Sequence, residues 1–163
     1  MDECMIYKVL DVSRYVINYS NTQDYGISNL KLQKILYFIQ AFFLISTPEQ
    51  CFEEKIEARD FGPIVPEAYK EYKQYGSGDI PSISYTIKFD DEDIWESKVT
   101  KYKDDVISEE DKRRIESVVD KFADYSATDL VTITHGQTPW KNAYRRGQNN
   151  EITIAAIKEH FNA

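Results

Sequence analysis

ISNLKLQKILYFIQAFFLI runs from Ile27 to Ile45. Within it Leu32, Ile35, Leu36, Ile39 and Phe43 recur at the three- and four-residue spacing of one helical face. Leu30, Tyr37, Phe38 and Phe42 carry the apolar surface nearly all the way round. A helix this apolar is touched on several sides and forms the centre of a fold. Ser28 is placed to cap it, and Pro48 marks its exit. The run is broken by Gln40 and is too short to cross a bilayer.

The flanking sequence supplies what surrounds that centre. Over residues 3–20, Met5, Val9, Val12, Val16 and Tyr19 predict an amphipathic helix, punctuated by Asn21 and Gly26. Gly62-Pro63 reads as a turn, and Pro66 suits the first turn of a helix that buries Tyr69, Tyr72 or the stem of Lys73 and stops at Gly76. Residues 82–89 alternate strictly, as a half-buried strand does, with a return strand at 95–102 after the acidic run at 90–93. Ser108 and Asp111 form an approximate capping box for a helix with Ile115, Val118, Val119 and Phe122 inward. Ser126 caps a short helix burying Leu130 and Ile133. Thr138 caps another, with Pro139 in its first turn, and Thr153 a last one burying Ala156, Ile157 and Phe161. The expectation is a mainly α, single compact domain over residues 1–163, with six to seven helices and one small antiparallel β-hairpin.

A length of 163 residues suits one domain, and 42% hydrophobic content with twelve tyrosines and eight phenylalanines supplies a bulky core rather than disorder. The net charge of −8 repels phosphate backbones unless basic residues cluster. Lys112, Arg113 and Arg114 are interleaved with Glu109, Glu110, Asp111 and Glu116 and read as a solvated helix face. A nucleic-acid-binding regulator is the alternative, and it needs those three with Arg145 and Arg146 on one surface. The acidic balance favours a basic protein partner instead. Cys4 and Cys51 cannot form a disulfide framework or a four-thiolate site. No signal-peptide pattern and no 18-residue apolar run is present, so a cytoplasmic protein is expected.

The chemistry-bearing residues crowd into THGQTPW, which begins at Thr134. A catalytic His135 needs an orienting acid and a nucleophile, and no G-x-S-x-G elbow is present. A metal site needs a second ligand, yet His160 is distant and nothing suitable stands at the fourth position from either histidine. The acidic run at 90–93 lacks the glycine and closing glutamate of a calcium loop. Gly76-Ser77-Gly78-Asp79 is too short to cradle phosphate. No catalytic residue, metal or cofactor is therefore expected. His135 either bonds to backbone where two helices meet or contacts a partner. Trp140 either staples a helix start or anchors an interface.

Three ordered segments add to this: ISNLKLQKILYFIQA at 27–41, EARDFGPIVPEAYKEYK at 57–73 and DLVTITHGQTPWKNA at 129–143. Together they resemble the Panacea, or SocA-like, antitoxin domain, a family also described as phage-associated, over nearly the whole chain. The family's Leu-Gln-Lys-Leu-Leu-Tyr core is matched from Leu32 to Tyr37. Its Gly-Pro-Val-x-Pro turn is matched by Gly62, Pro63 and Pro66, with Tyr69 following. Its His-x-x-x-Pro-Trp is matched by His135, Pro139 and Trp140. The chain departs at Arg59, where an aromatic is usual, and at Leu130-Val131, where the family has Leu-Ser. The resemblance implies an antitoxin without enzymatic activity that binds a cognate toxin protein, some members delivering the toxin to a protease complex. It implies a site at Gln33, Lys34, Tyr37, Gly62, Pro63, Pro66, Tyr69, His135, Pro139 and Trp140. If those residues converge, they lock the helices together or frame a groove for a toxin segment. The edge of the 82–89 strand is a second docking option. Oligomeric state is left open.

Overall fold

A computed structural model describes residues 5–88, 98–101 and 106–162. The central helix forms where the apolar run places it. Helix α2, Asn29–Ser46, is capped by the Ser28 hydroxyl, which accepts from the Lys31 amide. All five residues of the expected stripe are buried. Around α2 pack α1 (Val9–Thr22), α3 (Pro66–Tyr72), α4 (Glu109–Lys121), α5 (Ala127–His135) and α7 (Ile154–Asn162), while α6 (Thr138–Ala143) lies against α7. A 3-10 turn at Lys73–Tyr75 extends α3 towards Gly76. The mainly α architecture is thus as expected.

Sheet structure goes beyond the expected hairpin. That hairpin exists: β3 (Tyr85–Lys88) pairs antiparallel with β4 (Lys98–Lys101), Thr86 opposite Thr100. The acidic run at 90–93, Phe89 and Trp95 lie outside the described residues. A second sheet, not foreseen, orders β2 (Gly62–Ile64), β1 (Ile56–Arg59) and β5 (Asn150–Ile152) side by side, both pairings antiparallel. The Gly62-Pro63 turn of the sequence reading is therefore the start of a strand, and the turn itself is Asp60-Phe61.

The edge of β2 is closed without a further strand. Pro63 has no N–H to offer, its carbonyl accepts from the Lys34 ammonium, and the next free donor, Val65 N–H, goes to Gln33. Two side chains of α2 thus stand in for a neighbouring strand, and this fixes the sheet to the central helix.

Several local expectations are corrected by long-range contacts. Helix α1 begins at Val9, not near residue 3. Tyr7 is held in a parallel bridge to Phe52, and the Val9 amide donates to Glu54. A distant carboxylate replaces the missing local cap, and Met5 is left exposed. At α4, Ser108 caps the Asp111 amide, but the second half of the box is taken over by Tyr7. Its hydroxyl accepts from Ser108 N–H and donates to Asp111 at 2.6 Å. Tyr69 and Ile133 are exposed where burial was expected. Helix α6 takes Gln137 as its N-cap residue, while the Thr138 hydroxyl lies 3.1 Å from His160 Nδ1. At α5 the Ser126–Asp129 pair forms a complete capping box, and at α7 the Thr153 hydroxyl caps as expected.

Candidate functional site

Helix α2 carries a row of polar side chains through an otherwise apolar core. Asn29, Gln33, Lys34 and Gln40 are all buried, so each must find partners or carry a large desolvation cost. Asn29 donates to the Tyr69 carbonyl at 3.0 Å and accepts from Gln33 Nε2 at 2.9 Å. Gln33 accepts from Val65 N–H at 2.9 Å, and Lys34 Nζ donates to the Pro63 carbonyl at 3.1 Å. The Tyr37 hydroxyl donates to Gln137 at 2.7 Å, just before α6. Each side chain grips backbone or side chain from a different segment of the chain.

Lys34 is unusual because no carboxylate offsets its burial, and desolvation pushes its pKa down to about 7. Burial raises the Tyr37 hydroxyl above its ordinary value. Gly62 explains how the lysine fits. Its φ is +99°, and a Cβ there would stand 2.8 Å from Lys34 Cε and 2.9 Å from Thr134 Oγ1. Only glycine tolerates both the dihedral and the approach.

The third segment closes the knot with stacked rings. Trp140 lies between His135, with ring centroids 4.0 Å apart, and Tyr144, 4.5 Å apart. Its indole N–H donates to the Arg59 carbonyl at 2.8 Å. The Tyr144 hydroxyl donates to Asp60 in the β1–β2 turn. Buried Pro139 sets the start of α6 that aims the indole. Trp140 thus ties the end of α5 and all of α6 to the hairpin. His135 Nε2 is buried without a hydrogen-bond partner.

Nine of the ten expected site residues therefore lie on segments that these contacts join: Gln33, Lys34 and Tyr37 on α2, Gly62, Pro63 and Pro66 on the hairpin and its exit, and His135, Pro139 and Trp140 at the α5–α6 corner. The side chain of the tenth, Tyr69, leaves the knot and faces outward, 40% exposed. With Leu30, Ile64 and Phe61 it walls a groove of about 570 Å³ on the outer side of the hairpin, closed by Arg59, Asp60, Lys73 and the Gly147–Asn149 loop. Phe61 is 66% exposed. It was missed as a site residue because the turn reads from sequence as Gly62-Pro63, whereas the turn lies at Asp60-Phe61 and holds the aromatic away from the core.

The basic residues are placed differently. Lys112 pairs with Glu109 and Arg114 with Asp111 within α4. Arg145 donates to the carbonyls of Asn142 and Tyr144. Among the described residues no three His, Cys, Asp or Glu side chains gather where they could share a metal ion. Nor is any described helix long and apolar enough to cross a membrane.

The profile of the family described as Antitoxin SocA-like, Panacea domain, matches residues 32–141, which span the knot except for Asn29 and Tyr144 at its two ends. Antitoxin SocA of Caulobacter vibrioides (strain NA1000 / CB15N) is 32% identical over 130 residues, covering 79% of this chain. The match spans 66% of that relative's own length. No solved structure matches the chain. The family match runs from the Leu32–Tyr37 core through the Trp140 corner, and the chain belongs to the SocA-like antitoxin family with a Panacea domain.

Proposed function

We propose that the chain is an antitoxin that neutralises a cognate toxin in the cytoplasm by binding it directly, without bond-making of its own. Family membership supports the antitoxin role. The observation that carries direct binding is the groove beside the knot. Phe61 and Tyr69 are large aromatic side chains held out to solvent, on a hairpin and a helix that are fixed from behind by Lys34, Gln33, Asn29 and Trp140. Exposed aromatics on a rigid backing are the anchors of protein interfaces, because little conformational freedom is lost when a partner covers them. His135 and Trp140 act as the backing, since their ring contacts and the indole hydrogen bond go to the chain itself. Delivery of the bound toxin to a protease complex is a compatible further step, and it requires the same first contact.

Growth rescue tests this reading. The product of the adjacent gene is expressed alone and together with this chain in a host that lacks both. Growth arrest relieved by the wild-type chain, and not by Phe61→Asp, is the expected result. A harmless product, or arrest that persists beside soluble wild-type chain, contradicts it.

A further inference from the structure

The groove differs in charge from the molecule around it. The whole chain carries −8, yet the mouth of the groove leans the other way. Three charged side chains line it: Arg59, Asp60 and Lys73. The Asp60 carboxylate already accepts from the Tyr144 hydroxyl. Arg59 is spent on Glu57, holding one carboxylate oxygen through Nε at 3.0 Å and Nη2 at 2.6 Å. Lys73 is exposed on one rim and makes no ion pair among the described residues. Exposed Arg146 does not line the groove itself but immediately precedes its Gly147–Asn149 wall in the chain, with its charge acting on the Tyr144 hydroxyl. The groove thus has an apolar wall of Leu30, Phe61, Ile64 and Tyr69, with Lys73 at its rim and Arg146 next in the chain to its loop wall.

Its backbone offers little to a visiting strand. The outward carbonyl of β2 is taken by Lys34 and the Val65 N–H by Gln33, so strand addition at this edge has no donors or acceptors left to use. Recognition falls to side chains. We propose that the groove takes an acidic segment of the partner protein, seating one bulky apolar side chain between Phe61 and Tyr69 while flanking carboxylates meet Lys73 and Arg146. This rests on the reading of the groove as the toxin-binding surface and names the chemistry of what enters it. The apolar anchor supplies most of the affinity, and the cationic lips select the sign of charge and speed encounter. A partner that is basic overall still complements the acidic remainder of the surface, so the two charge preferences act on different parts of it.

The test uses the full ¹⁵N-labelled chain and two synthetic peptides, Ac-Asp-Glu-Trp-Leu-Glu-Asp-NH₂ and its counterpart with lysine at every acidic position. The acidic peptide is expected to shift the amides of Phe61, Tyr69, Lys73 and Gln148. It should bind about fivefold or more tightly than the lysine peptide at low ionic strength, with the gap closing near about 0.5 M salt as charges are screened. Lys73→Glu combined with Arg146→Glu should reverse the preference. Equal affinity for both peptides, tighter binding of the lysine peptide, no binding by either, or shifts clustered elsewhere overturns the proposal. Toxin neutralisation by the same double variant separates the two levels. If it neutralises like wild type while Phe61→Asp does not, the groove remains the binding surface and its preference for acidic segments is refuted.

Discussion

Lys34 holds the hairpin by a bond that takes its side-chain nitrogen out of water. Its ammonium meets one carbonyl and no carboxylate, and its pKa falls to about 7 from an ordinary 10.5. Between those two values the unfolded chain binds a proton that the folded chain has released. Stability therefore rises with pH across that window, by up to about 1.4 kcal/mol per pH unit, and is flat in this respect below pH ~7. Chemical denaturation from pH 7 to 8.5 checks this, staying below the range where buried Cys51, whose pKa is raised, works in the opposite direction. The wild type should gain stability across that interval, and Lys34→Met should lose the slope. An identical slope in the variant assigns the effect to other groups. Gly62 is the companion test. Gly62→Ala forces a side chain into positive φ and against Lys34 and Thr134, with an expected loss of roughly 2–4 kcal/mol and a visibly lower melting temperature. A melting temperature unchanged from wild type refutes the tight fit described there.

At the scale of elements, α2 works as a template whose polar residues organise backbone that has no regular partner. Gln40 looked in the sequence like an interruption of an apolar run, and the structure gives its reason. It accepts from the amides of Cys51 and Phe52 and donates to the Phe52 carbonyl, all in the core. Gln40→Leu should leave the Cys51 and Phe52 amides unpaired, while the Phe52 carbonyl keeps the Gln50 side chain, and cost about 2–4 kcal/mol, read as a lower denaturation midpoint with unchanged m-value. A neutral effect shows that water or a local shift replaces the amide. The same helix shows what the sequence could and could not convey. Its cap, length and stripe were legible because they follow from residues within one window. So were the Pro66 helix start, the Ser126 and Thr153 caps and the β3–β4 pairing. The β2–β1–β5 sheet was not legible: its strands are only three or four residues long, too short for a period, and Gly62-Pro63 resembles a turn. The start of α1 was misplaced because its cap is Glu54, 45 residues away. Within the site, resemblance named the three motifs and left their convergence conditional, whereas Phe61 and the outward turn of Tyr69 depend on where the hairpin faces, which no local pattern encodes.

The whole molecule divides into a braced interior and one surface that the brace presents. Trp140 belongs to the interior. Trp140→Phe keeps a ring for the stack but removes the indole donor to the Arg59 carbonyl, so it should lower stability by roughly 0.5–1.5 kcal/mol and weaken toxin binding only as far as the hairpin loosens. Phe61 belongs to the surface, and its replacement should leave the fold within about 0.5 kcal/mol of wild type. That contrast separates scaffold from contact, and calorimetric titration of the adjacent gene's toxic product into wild-type chain and Phe61→Asp, with melting temperatures recorded on the same samples, measures it directly. The expected result is saturable binding to the wild type and at least about tenfold weaker binding to the variant at an unchanged melting temperature. Equal affinity for both proteins would contradict a toxin-binding groove at Phe61 and Tyr69.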